Sequence, residues 1–273
     1  MKKIKKIAVM TSGGDSPGMN AAIRSVVRAC AYYRVSCVGI YRGYEGLIEG
    51  DFIELTARSV NNIINKGGTI LKSARSTEFR TKEGRAKAFE KLKEEEIEAL
   101  VVIGGDGSFT GAVVFNEEYN FPVIGIPGTI DNDIFGTSHT LGYDTALNTA
   151  VEAIDKIRDT ASSHNRLFFV EVMGRDAGFI ALNAGVGAGA EEILIPEEDL
   201  GLDRMLESLK KSRRTGKSSS IVVVSEGDQI GKNITKVSEA IQEKLPDYEV
   251  KVTVLGHIQR GGSPSCFDRV LAS

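Results

Sequence analysis

Short runs of β-branched and aliphatic residues alternate with longer amphipathic stretches along almost the whole chain, which narrows the folds open to it. "KIAVMT", "SCVGIY", "ALVVIG", "FPVIGI", "LFFVEVM", "EEILIP", "SIVVVSEG" and "VKVTVLG" read as strands. Between them, "GMNAAIRSVVRACAYY", "EGRAKAFEKLKEEEI", "DTALNTAVEAIDKIRDTASS", "LDRMLESLKKSRR" and "ITKVSEAIQEKL" carry helical spacing. Near-continuous apolar strands suit a parallel sheet covered by helices on both faces, so the fold class is α/β. There is no internal repeat and no Pro/Gly/Ser-rich linker, so any second domain is joined by short crossings.

Strand after strand runs out into a polar string containing glycine: "TSGGDSPG", "GGDGS", "PGTIDND", "MGRDAG", "SEG" and "LGHIQRGG". Ligands of open α/β sheets bind beyond the carboxyl ends of the strands. One such string is ordinary turn chemistry. A series of them, each with charged residues attached, points to a binding face.

Bulk properties exclude several classes. With 41% hydrophobic and 26% charged residues the 273-residue chain is globular, and its net charge of −3 provides no global field for nucleic acid or an anionic membrane. An anionic ligand therefore has to be held by local Arg and Lys. Cys30, Cys37 and Cys266 form no CxxC pair and read as reduced thiols of a cytoplasmic protein. The opening "MKKIKKIAVM" is too short in its apolar part for a signal peptide, and no run approaches a membrane span.

In "TSGGDSPGMNAA" (11–22) the glycines let backbone approach a phosphate at a helix start, although Asp15 or Ser16 capping the helix fits equally well. "VVIGGDGS" (101–108) repeats the device with Asp106, a carboxylate able to hold Mg²⁺ on nucleotide phosphates. The GGDG string also occurs in forms resembling the loops of NAD kinases and lipid kinases. "EVMGRDAGFIA" (171–181) puts Arg175 at a strand end, with Asp176 as a possible helix cap. "VLGHIQRGGSP" (254–264) puts His257 and Arg260 in one glycine-rich string, as an oxyanion site would. "PGTIDND" (127–133) brings Asp131 and Asp133 to the mouth of a strand, where turn chemistry and a site compete as explanations. An extended chain there puts both carboxylates on one side, about 6–7 Å apart.

Taken in order, "TSGGDSPGMNAAIR", "GGDGS", "PGTIDND", "EVMGR" and "LGHIQRGGSP" closely resemble the signatures of bacterial-type ATP-dependent 6-phosphofructokinases over almost the whole chain. The resemblance implies a two-domain fold, with residues 1–141 and 258–273 binding ATP and 142–257 binding the sugar phosphate. It implies a homotetramer that transfers the ATP γ-phosphoryl group to the 1-hydroxyl of fructose 6-phosphate with Mg²⁺. Gly14, Arg75, Ser76, Gly105, Asp106, Gly107 and Ser108 would line the ATP site, with Asp106 on the metal. Thr129, Ile130, Asp131, Met173, Gly174, Arg175, Glu226, His257, Ile258, Gln259 and Arg260 would meet the sugar phosphate, joined by Arg166 and Lys251 of a neighbouring subunit. Asp131 would be the base and Arg175 would stabilise the transferring group; Thr129, Gly14 and Arg75 complete the catalytic set. An effector site for ADP or phosphoenolpyruvate would take Arg24, Arg28, Arg158, Gly189, Glu191 and Lys217.

Two features depart from the family pattern. Lys251 stands where an arginine is usual, keeping the charge and losing the planar fork, and a solvated strand lysine is the alternative reading. Family members also continue beyond "FDRVLAS", which makes an inactive or regulatory fragment the alternative from another class. The same-fold alternative uses pyrophosphate, a donor associated with Asp at position 107 and Lys at 128. Gly107 and Gly128 favour ATP.

Overall fold

The computed structural model describes residues 4–161, 163, 166–198, 202–214, 219–246 and 248–273. They form two compact units, Met1–Asp144 with Arg260–Ser273, and Thr145–Gln259.

The first unit contains β1 (Lys6–Ser12), α1 (Met19–Tyr33), β2 (Ser36–Ile40), α2 (Gly43–Glu49), β3 (Phe52–Leu55), α3 (Lys82–Glu94), β4 (Ala99–Gly104), α4 (Asp106–Tyr119) and β5 (Val123–Pro127). Its sheet runs β3-β2-β1-β4-β5, parallel except for the antiparallel β2–β3 pair. Because strand side chains alternate between faces, each central strand feeds two cores. Val9, Val101 and Ile103 pack with Met19, Ile23 and Val27 of α1, while Ala8, Met10, Leu100 and Val102 pack with Leu47, Leu92 and Phe115 of α2, α3 and α4. This double burial is why the strands read as unbroken apolar runs.

The second unit continues from α5 (Tyr143–Ala161) with β6 (Arg166–Val172), α6 (Phe179–Gly187), β7 (Glu192–Leu194), α7 (Leu202–Arg214), β8 (Ser220–Ser225), α8 (Ile234–Lys244) and β9 (Glu249–Val254). Its parallel sheet has the order β7-β8-β6-β9. Leu167, Phe169, Val222 and Val224 face Met205, Leu209 and Ile241 of α7 and α8. On the opposite face α6 comes close enough that a Cβ at Gly185 would touch Ile193 at 2.7 Å. A 3₁₀ turn, Gly256–Arg260, leads to α9 (Cys266–Leu271) in the first unit.

All the strands read from sequence are present, but β3 and the helices α2, α4 and α6 were not among the expected elements. β3 is a four-residue antiparallel edge strand with Glu54 exposed, too short for a periodic signal. The missed helices are short or glycine-rich, and the segment "FIALNAGVG" has a poor intrinsic helix propensity. Packing against the sheets makes them helical.

Candidate active site

In the first unit two glycine-rich turns feed helices whose starts no side chain caps. α1 has Gly18 at its N-cap with φ 106°, and α4 has Gly105. The expected caps from Asp15 and Ser16 therefore do not form. The Ser16 hydroxyl instead lies buried without a partner among the described residues. By contrast α3 and α9 are capped by Thr81 and Ser265. Uncapped starts leave backbone N–H groups for an anion. Asp106 and Gly107 are exposed in the first turn of α4, and Ser108 is buried. The Tyr44 hydroxyl donates to the Ser108 carbonyl at 2.6 Å, and its ring stacks on Phe79 at 3.8 Å. Burial raises the Tyr44 pKa, so the phenol stays a neutral donor. Ser76 accepts from Phe79 N at 3.2 Å and Arg75 beside it is exposed.

Arg260 belongs to this unit too. Its guanidinium donates to the Asp15 carbonyl at 3.0 and 3.2 Å and lies against Gly14, where any Cβ would collide with it. A side chain at position 14 would have to displace the Arg260 guanidinium. The two distant strings meet at one turn.

Beyond β5 the chain leaves strand geometry. Asp131 is only 7% exposed and its N–H donates to Thr129 Oγ1 at 3.2 Å. Asn132 adopts φ 54° and accepts from Thr140 N at 2.9 Å, while Thr140 Oγ1 donates to the Thr129 carbonyl at 2.6 Å. The left-handed residue breaks the expected i, i+2 alternation, so the shared side for Asp131 and Asp133 does not follow. Asp133 is exposed while Asp131 is buried. Ile130 is 3% exposed, which leaves its backbone as the part able to touch a ligand.

In the second unit the chain turns sharply after β6. Gly174 has φ 141° and Arg175 has φ 53°, a costly conformation for a residue with a side chain. The Glu226 carboxylate holds it, accepting from Arg175 N at 2.9 Å and Gly174 N at 3.3 Å. Asp176 does not cap α6, whose N-cap is Gly178. Burial, and then the charge of Glu226, raise the pKa of Glu171 nearby on β6. Gln259 is fully buried, bridging Met173 N and the Gly256 carbonyl, so its side chain braces the turn and is not a free ligand group. His257 and Ile258 beside it are exposed.

Arg166 and Lys251 lie near the starts of β6 and β9, where the strands pair in register. Both engage Glu249, which sequence reasoning did not single out: Arg166 at 2.9 Å and Lys251 at 2.7 Å. Hydrogen bonds from Arg166, then Lys251, hold the Glu249 carboxyl down at about 2. Of the expected effector residues, Arg158 donates to the Ala188 and Gly189 carbonyls, both at 2.8 Å, and faces Glu191 at 3.8 Å. In the first unit Arg24 is half-buried and Arg28 exposed on α1. Lys217 lies outside the described residues.

The family description "Phosphofructokinase" matches residues 6–273. The chain belongs to the phosphofructokinase family. It is 56% identical over 273 residues to ATP-dependent 6-phosphofructokinase 2 of Bacteroides thetaiotaomicron, covering 100% of this chain and 83% of that protein. It is 58% identical over 270 residues to ATP-dependent 6-phosphofructokinase 1 of Thermus thermophilus, again covering 83% of the relative and 99% of this chain. Among solved structures, phosphofructokinase from Saccharomyces cerevisiae superposes with a TM-score of 0.92 at 40% identity, over 98% of this chain and 40% of that one. A pyrophosphate-dependent phosphofructokinase from Marinobacter aquaeolei matches with a TM-score of 0.84 at 23% identity, over 98% of this chain and 73% of that one, a likeness of fold alone.

Proposed function

We propose that this chain transfers the γ-phosphoryl group of ATP to the 1-hydroxyl of fructose 6-phosphate, giving fructose 1,6-bisphosphate and ADP. The observation that carries this reading is the buried Asp131, a carboxylate kept at a strand end by a loop built around it. In the reaction Asp131 receives the hydroxyl proton as the sugar oxygen bonds to the γ-phosphorus and the bond to the ADP oxygen breaks. Phosphoryl transfer asks mainly for positioning and neutralised charge. Gly14, Arg75, Ser76 and the Gly105–Ser108 turn bind the nucleotide, and the exposed Asp106 is free to hold Mg²⁺, whose charge offsets the phosphates. Among the described residues no group of three or more His, Cys, Asp or Glu could cage a metal. Thr129 orients the acceptor, and Arg175 stabilises charge on the transferring group. Met173, Gly174, Glu226 and His257 bind the sugar phosphate.

Replacing Asp131 with Ser tests this directly. kcat should fall by roughly 10²–10⁴-fold with ATP affinity little changed. Near-normal turnover would return Asp131 to a role in the turn.

ATP is the donor in this reading. A Cβ at Gly107 would meet nothing within 4 Å, leaving open space for a nucleotide, whereas one at Gly128 would press on Ile103 and Met19 at 3.1 and 3.2 Å. The working form is a cytoplasmic homotetramer. Supporting this, Arg166 and Lys251 sit near the starts of their strands, while Arg175, Glu226 and His257 follow strand ends. The seven residues of β6 span about 20 Å, so a phosphate meeting both Arg166 and Arg175 takes them from two chains. ADP or phosphoenolpyruvate would bind as effector at Arg24, Arg28, Arg158, Gly189 and Glu191. No helix among the described residues is long and apolar enough to cross a membrane.

A further inference from the structure

Between β3 and the 3₁₀ turn Glu78–Arg80, residues 56–77 form no helix or strand. Irregular segments of this length are uncommon in compact domains and need something to hold them. Val60, Ile63 and Leu71 plug into the core beside α1. The rest of the attachment is polar: Arg42 N donates to the Leu71 carbonyl at 2.9 Å, Ser263 Oγ donates to the Asn65 carbonyl at 2.8 Å, and two buried side chains supply further bonds. Asn20 is 2% exposed in the start of α1, which is buried on all sides through Met19, Ala21, Ala22 and Ile23. Its Nδ2 donates to the Lys66 and Gly67 carbonyls, both at 3.1 Å, and its Oδ1 accepts from Ile70 N at 2.7 Å. Thr11, fully buried on β1, donates to the Lys72 carbonyl at 2.7 Å and meets the Thr69 hydroxyl at 2.8 Å.

A buried polar side chain costs stability unless its bonds are made. α1 itself has no use for this amide, since none of the bonds above goes to the helix. All three go to a segment whose next stretch carries Arg75. Lys72 then turns the chain with φ 55°, and Ser76 is fixed by its bond from Phe79 N. Arg75 therefore lies on a short span whose ends are both tied. Catalytic groups lose much of their effect when displaced by about 1 Å.

We infer that Asn20, assisted by Thr11, is a positioning residue for the phosphoryl-donor subsite, acting through segment 66–72 on Arg75. This rests on the reading of Arg75 as an ATP-binding residue. Asn20→Asp keeps the acceptor for Ile70 N but sets a carboxylate against two carbonyls. Thr11→Val keeps the shape of the side chain and removes its hydroxyl, and it serves if the first variant fails to fold. Each variant is made alone and combined with Arg75→Ala, checked by thermal melting, and assayed for kcat and for KM of ATP and of fructose 6-phosphate.

The expected result is a loss of about 10-fold in kcat/KM for ATP from either variant, with KM for fructose 6-phosphate changed less than about 2-fold. In the Arg75→Ala background the same changes should cost less than about 2-fold more, because residues acting through one another are not additive. A full loss repeated in that background, or no loss in the single variants, would overturn the inference. If Arg75→Ala alone leaves ATP kinetics unchanged, the reading of Arg75 fails and takes the inference with it.

Discussion

At the end of β5 the structure buries a carboxylate; at the end of β6 it exposes a guanidinium. Asp131 is enclosed by a loop that Thr140 and Asn132 tie together. Arg175 has only its backbone held, by Glu226, while its side chain stays in solvent. The difference fits the partners proposed for each. A base that takes one proton from one oxygen benefits from a fixed position and a dry setting. A cation meeting a multiply charged phosphoryl group can be drawn into place by the ligand's own charge, provided its Cα is in the right spot. The fold spends its rigidity on side chain in one loop and on backbone in the other.

The comparison can be broken at either loop. Arg175→Ala should lower kcat by roughly 10²–10³-fold, the usual cost of removing one group that stabilises transition-state charge. Thermal stability should hardly change, because the Glu226 bonds go to backbone. A steady-state assay beside a melting curve checks this, and an equal loss in both would show that the side chain is structural.

A smaller effect is expected next to Asp131. Gly128→Lys forces a side chain onto Ile103 and Met19 and should destabilise the chain by about 1–3 kcal/mol, as overpacking does. Gly107→Asp meets open space and should be nearly neutral for folding. Chemical denaturation of both variants decides the point; equal losses would contradict the packing described at Gly128.

The smallest effect belongs to the strand starts. The Glu249 carboxyl is held at about 2 by Arg166 and Lys251, below its unfolded value of about 4.3. Its folded pKa is depressed, so its contribution is fully present above about pH 4.3 and is lost as pH falls through 2. Both partners are partly exposed and the contribution is slight. Glu249→Gln should lower stability slightly at neutral pH and flatten the acid limb by the same small amount, so that the two chains converge at low pH. An acid limb identical to that of the parent chain would remove this role.

Much of the fold was legible because burial on both sheet faces writes itself as apolar runs: "ALVVIG" and "SIVVVS" admit few other readings. α1, α5, α7 and α8 showed through their amphipathic spacing, whereas α6 and β3 owe their form to neighbours more than to their own residues. The glycine-rich strings marked the ends of strands correctly. What they could not show was contact across long sequence separations. Arg260 packs on Gly14, Glu249 joins Arg166 to Lys251, and Asn20 reaches segment 66–70 only once the sheet order brings them together. The spacing rule for Asp131 and Asp133 failed because a single left-handed residue, Asn132, cancels alternation. The caps proposed from Asp15, Ser16 and Asp176 failed because Gly18 and Gly178 begin those helices.

In the proposed reaction this chain phosphorylates fructose 6-phosphate with ATP as donor. The most direct test is the initial rate of fructose 1,6-bisphosphate formation by the purified chain, measured with Mg²⁺ and equal concentrations of either ATP or pyrophosphate. Turnover is expected with ATP and none with pyrophosphate. Faster product formation with pyrophosphate, or no product with either donor, would contradict the proposed reaction.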